Sequence, residues 1–158
     1  MDELAAYRQE LLLAMEKVIP ELYRLVDRMP SKDWHRKFGD DLHTPFYTLV
    51  HLWLVEAREY AINIRRIYTE DTPLLAAFDD QAWMDAHPRP KERPRNIVQD
   101  FATLRRQELD WLRQLPSAGW SREGRHPHWG VRTLQWWVEQ QLDCSLQHIS
   151  RLSRSFGT

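Results

Sequence analysis

Residues 44–68 read TPFYTLVHLWLVEAREYAINIRRIY, and the fold turns on how this stretch is read. Thr44 can cap a helix and Pro45 is tolerated in a first turn, so the stretch opens as helices open. Phe46, Leu49, Val50, Trp53, Leu54, Ala57, Ala61, Ile64 and Tyr68 then recur at three- and four-residue steps. Side chains at that spacing share one face of an α-helix, and an apolar stripe this wide requires other helices to cover it. Glu70-Asp71-Thr72-Pro73 stops the pattern.

The same period appears on both sides. Over residues 2–29, Leu4, Leu11, Met15, Val18, Leu22, Leu25 and Met29 line one face, with Pro20 expected to kink the helix near Lys17 or end it there. Pro94 or Arg95 opens a third helix, where Ile97, Phe101, Leu104, Glu108, Trp111, Leu112 and Leu115 keep helical spacing until Pro116. A fourth runs from about Val131 to Ser153, with Leu134, Val138, Leu142, Ser145, Ile149 and Leu152 on one face. Residues 69–93 read as a long crossover in which Leu74–Phe78 and Gln81–Ala86 can each form a short helix. Residues 117–130 read as a second loop. The expectation is one all-α domain over residues 1–158, an up-and-down four-helix bundle with a long crossover between helices 2 and 3. Each helix alone would be marginal, so burial of the stripes against one another must supply the stability.

Composition narrows the function. The formal net charge is −1, so a generic electrostatic grip on nucleic acid or on an anionic membrane is not expected. Arg89, Lys91, Arg93 and Arg95 form a short basic tract, but Glu92 interrupts it and it reads as a solvated loop. No stretch reaches the roughly 18 apolar residues of a membrane helix. Cys144 is the only cysteine, which excludes an intrachain disulfide and fits a reducing compartment. The chain starts Met1-Asp2-Glu3, without a basic leader, so the expected location is the cytoplasm. Eight Trp residues predict an aromatic core or an aromatic-walled pocket. Trp53 and Trp111 are expected in the core. Trp136 and Trp137 point about 100° apart, so one can face the core and the other a pocket, a subunit or solvent.

Cys144 and His148 are four residues apart, one turn apart on one helix face. That is how a helix presents two metal ligands side by side. His51 lies beside the apolar stripe of the second helix and could supply a third ligand, leaving positions for water or substrate. Thiolate and imidazole donors suit Zn and accept Ni or Fe. The bland reading of the same residues is a small buried cysteine and two packed histidines. His126 and His128 could approach the pocket or a partner, but are read first as loop residues that pack or hydrogen-bond. His35, His43 and His87 have no spaced partner. Asp79-Asp80 reads as a local acidic pair that caps or faces water, and no Gly-rich phosphate loop occurs.

Several segments resemble, in order, the DinB-like (DinB/YfiT) family. Residues 120–134 are similar to the loop leading into that family's last helix, and Cys144–Leu152 to the helix bearing its His-x3-His pair. Thr44–Leu52 looks like the second helix, whose His is the remaining ligand, and Thr72–Trp83 like the crossover. The resemblance implies a four-helix bundle holding a divalent metal near one end. It implies His51 and His148 as ligands, with Cys144 where the family has His. It also implies a metal-dependent thiol transferase or isomerase using a low-molecular-weight thiol and a small-molecule substrate. The alternatives are a metal-free binding or stress-associated protein, and a homodimer formed through an exposed helix face. A metal-free site with Cys144 as nucleophile is a further alternative.

Overall fold

The structure is a computed structural model that describes residues 2–88 and 91–155. Arg89 of the basic tract lies outside the described residues. The expected all-α bundle is what the chain forms. Its helices are α1 (Glu3–Arg28), α2 (Pro45–Val55), α3 (Ala61–Thr69), α4 (Asp80–Ala86), α5 (Pro94–Arg113) and α6 (Leu134–Arg154). A π-helical turn, Glu56–Tyr60, joins α2 to α3, so the two make one bundle helix. Among the described residues four long helices result: α1, α2–α3, α5 and α6.

Capping chemistry sets most helix starts. Asp2, Thr44, Asp79 and Thr133 accept the amides of Ala5, Tyr47, Ala82 and Trp136. Pro20 neither ends nor divides α1, which runs through it unbroken. The proline is exposed, so the carbonyl it leaves without a helical donor faces water. Leu74–Phe78 is extended rather than helical; Leu75 N–H bonds Arg125 C=O at 2.8 Å and Arg125 N–H bonds Pro73 C=O at 2.9 Å. The segment expected as a plain loop after Pro116 contains a 3-10 turn (Ser117–Ser121) and an antiparallel hairpin, β1 (Glu123–His126) with β2 (Gly130–Thr133). The hairpin delays α6 to Leu134, three residues past the expected start.

Cross-helix contacts give the directions. Arg8 meets Gln135, joining the starts of α1 and α6. Arg95 meets Asp27, joining the start of α5 to the end of α1. His51 meets His148, and Tyr60 meets Trp137, so α2–α3 runs against α6. Therefore α1 and α6 run one way, and α2–α3 and α5 the other, an up-down-down-up order in place of the strictly alternating one expected, because the long crossover carries the chain back along the bundle. The crossover makes this possible. It leaves α3 beside β1, passes His51 through Asp80, packs Trp83 against Trp53 and delivers the chain to α5 back at the end where α2 began.

The core has two apolar parts. One gathers Val18–Met29 residues with Leu49, Leu52, Phe101 and Leu152. The other gathers Leu11, Met15, Ile64, Ile67, Leu109 and Trp137. Trp137 is fully buried, whereas Trp53, Trp111 and Trp136 are partly buried and pack on the core's margins. Between the two parts lies a polar layer. Arg105, wholly buried, donates to both oxygens of Glu56 at 2.6 and 3.0 Å, to Met15 C=O at 2.9 Å and to Ser145 Oγ at 2.7 Å. Gln141 Nε2 adds a bond to Glu56 at 2.8 Å. This single guanidinium therefore touches all four bundle helices.

Candidate functional site

Because α2 and α6 are antiparallel neighbours, residue 51 of one comes level with residue 148 of the other. His51 Nδ1 lies 2.8 Å from His148 Nε2. Each ring is held from its far side. His148 Nδ1 is 2.7 Å from Cys144 C=O, and His51 Nε2 is 2.6 Å from Asp80 Oδ2. A carbonyl and a carboxylate only accept, so both of those ring nitrogens carry hydrogens. With the two rings neutral, the nitrogens that face each other both bear lone pairs. At 2.8 Å that pairing is repulsive unless a cation, a proton or a metal, lies between them. His148 does not supply the proton readily, because burial pushes its pKa down to about 4.

Cys144 is beside this pair but not aimed at the gap. Its Sγ is 3.7 Å from His148 Nδ1, the nitrogen turned away from His51. The Tyr60 hydroxyl hydrogen-bonds the thiol, yet burial dominates and pushes its pKa up to about 11. At neutral pH the group is a thiol, a poor ligand and a poor nucleophile until something displaces its proton. Among the described residues, no three His, Cys, Asp or Glu side chains form a group ready to hold a metal. Of the three residues singled out from the sequence, the structure brings His51 and His148 face to face. The third stands next to them.

Three further residues shape the site; the sequence pattern marks neither Asp80 nor Glu59 as part of it, whereas His126 takes up its open alternative and approaches the pocket. Asp80, at the start of α4, reaches His51, while its neighbour Asp79 caps the helix. Glu59, on the π-helical turn, is buried with Glu56 and Tyr60. π-helical turns recur at functional sites, which makes this one notable. His126, on β1, is buried and donates from Nε2 to Glu59 Oε1 at 3.1 Å, while its Nδ1 accepts the amides of His128 and Trp129 at 3.1 and 3.3 Å. The expectation that His126 hydrogen-bonds within its loop holds, and it extends to Glu59. His43 and His87 stack on Tyr47 and Trp83, and the His35 ring lies tilted against Phe46. Glu59, Asp80, His126 and Cys144 share the lining of one cavity of about 360 Å3 with Tyr60, Phe78 and Trp129.

No helix among the described residues is long and apolar enough to cross a membrane. No curated protein sequence matches the chain. Among solved structures, the chain is similar to YfiT from Bacillus subtilis, described as a probable metal-dependent hydrolase with an unusual four-helix bundle topology. The two superpose with a TM-score of 0.87 at 22% identity, over 99% of this chain and 90% of that one. At that identity the likeness speaks for the fold. The family model of the DinB superfamily matches residues 14–150, which include the second helix with His51 and the last helix with Cys144 and His148. By that match, the chain belongs to the DinB superfamily.

Proposed function

We propose that this chain is a metal-dependent enzyme in which His51 and His148, with Cys144 beside them, hold a divalent cation (Zn, Ni or Fe) and which acts on a low-molecular-weight thiol as a transferase or isomerase. The observation that carries this reading is the 2.8 Å approach of two imidazole nitrogens, each ring fixed from behind by an acceptor. Such acceptors orient ligand rings and set their tautomers, and Asp80 and the Cys144 carbonyl take that part here. When bound, a divalent cation lowers the pKa of a thiol or water at an open coordination position. Cys144 contributes a soft donor once its proton is lost, so affinity falls at low pH. Tyr60, Phe78 and Trp129 wall the adjoining cavity, where a small acceptor molecule can be held away from water. Membership of the family supports metal dependence. The fold shared with a protein described as a probable metal-dependent hydrolase favours a second reading, in which water replaces the thiol.

The test is metal analysis after refolding with Zn, Ni or Fe. The wild type should retain a stoichiometric ion, and His148→Ala should lose it. Cys144→Ala should weaken binding by about tenfold or more, and Cys144→His, which restores the family's pattern, should tighten it. A wild type that keeps none of the three metals sinks the reading. The alternative is then a metal-free, homodimeric bundle, which a native mass measurement would detect. Assays with glutathione, bacillithiol and mycothiol, set against ester and amide hydrolysis, separate the thiol reading from the water reading.

A further inference from the structure

The cavity beside the histidine pair contains a carboxyl group that is only half satisfied. Glu59 is 9% exposed. Its Oε1 accepts from His126, and its Oε2 has no hydrogen-bond partner among the described residues. His126 cannot serve both oxygens. Its Nδ1 is occupied as an acceptor of two backbone amides, so its one hydrogen is committed to Oε1. Nor is it a counter-charge, since burial disfavours its protonated form. None of the described residues lining the cavity is Lys or Arg, and Asp80 adds a second carboxyl. The remaining walls include the rings of Tyr60, Phe78 and Trp129.

We propose that this cavity binds an organic ammonium ion, its N–H groups on Glu59 Oε2 and its apolar body against Phe78, Tyr60 and Trp129. A buried carboxylate without a cation is costly, and the ligand supplies the missing charge. Aromatic faces attract ammonium groups through the negative face of the ring, so the walls favour the same ligand that Glu59 does. An anionic ligand would meet Glu59 and Asp80 and be repelled. The volume, about 360 Å3, falls within the range of small-molecule sites. The inference needs no metal; where the metal reading also holds, it names the charged end of the substrate.

Calorimetric titration of chelator-treated protein with benzylamine, benzyl alcohol and benzoate tests this. Benzylamine should bind about tenfold or more tighter than benzyl alcohol, with benzoate weakest. Glu59→Gln keeps the shape and the hydrogen bond from His126, and should bring benzylamine down to the level of the alcohol. Trp129→Ala should weaken benzylamine more than benzyl alcohol, since only the ammonium loses an attraction to the ring face. Equal affinity for amine and alcohol, preference for benzoate, no binding of any of the three, or a preference that survives in Glu59→Gln overturns the proposal. Because these titrations are done without metal, their failure leaves the metal analysis standing, and loss of metal binding leaves them standing.

Discussion

Glu59 shows how one residue ties stability to the cavity it serves. Burial pushes its carboxyl up to about 7; the Phe78 backbone opposes this and the Asp80 charge adds to it. In the unfolded chain the group titrates near 4.5, its ordinary value. Between those two pH values the native state holds more proton than the unfolded one, so stability falls as pH rises through the window. Below it the acid is neutral in both states and the penalty is absent. Glu59→Gln should therefore be about 1–2 kcal/mol more stable than wild type at pH 8 and equal to it near pH 4, as read by urea denaturation. A variant less stable at pH 8 would show that Glu59 already has a cationic partner. His148 works in the opposite sense: its lowered pKa removes stability as pH falls from about 6.5 towards 4, and it does so equally in both proteins. At this scale the sequence was partly legible. Cys144 and His148 share a helix face by spacing alone, and His51 borders an apolar stripe. Asp80, Glu59 and His126 lie on three different elements, and no periodicity relates them. Only the crossover and the hairpin, laid across the second helix, bring them together.

At the scale of elements, the long helices were readable because each must hide an apolar stripe, and period 3.6 records that need. The π-helical turn was not, since a single extra residue inside a helix leaves the pattern on both sides intact. The hairpin was hidden for another reason. β1 and β2 have four residues each and carry almost no apolar alternation, because only Gly124 and His126 face inward. Gly124 is what lets the hairpin seat. A Cβ there would stand 2.7 Å from Ile67 Cγ1 and 3.1 Å from Leu75 Cδ1, between the end of α3 and the crossover strand. Gly124→Ala should cost about 1–3 kcal/mol, since the hairpin must lift from packed neighbours. Lifting it also shifts His126 from Glu59. The His126 Nε2–H resonance, observed by NMR, should move in this variant and stay put in Leu146→Ala, a change at an exposed position of α6. An unmoved resonance together with full stability would show that the hairpin has slack.

For the molecule as a whole, the bundle followed from counting helices, but their directions did not. A crossover of some two dozen residues can end at either pole of a bundle, and hydrophobic patterns are silent on which. Here it returns the chain to the pole where α2 began, so α2–α3 and α5 run parallel and a buried guanidinium on α5 meets a buried carboxylate on the π-helical turn. Arg105 and Glu56 are 0% and 1% exposed as side chains. The pair contributes to uniqueness of packing more than to net stability, since moving two charges out of water consumes most of what their attraction returns. Two outcomes follow from that balance. Arg105→Met leaves Glu56 charged and buried, and Glu56→Met leaves Arg105 in the same position; each should cost about 3–5 kcal/mol. The double variant removes both charges together and should recover most of that loss, so the two changes should be non-additive by about 4 kcal/mol or more in a double-mutant cycle. Full recovery is not expected, because Gln141 would lose the acceptor for its Nε2 and leave a buried amide unmatched. Strictly additive losses would mean that the two groups do not hold each other, and the four helices would then owe their mutual register to the apolar parts of the core alone.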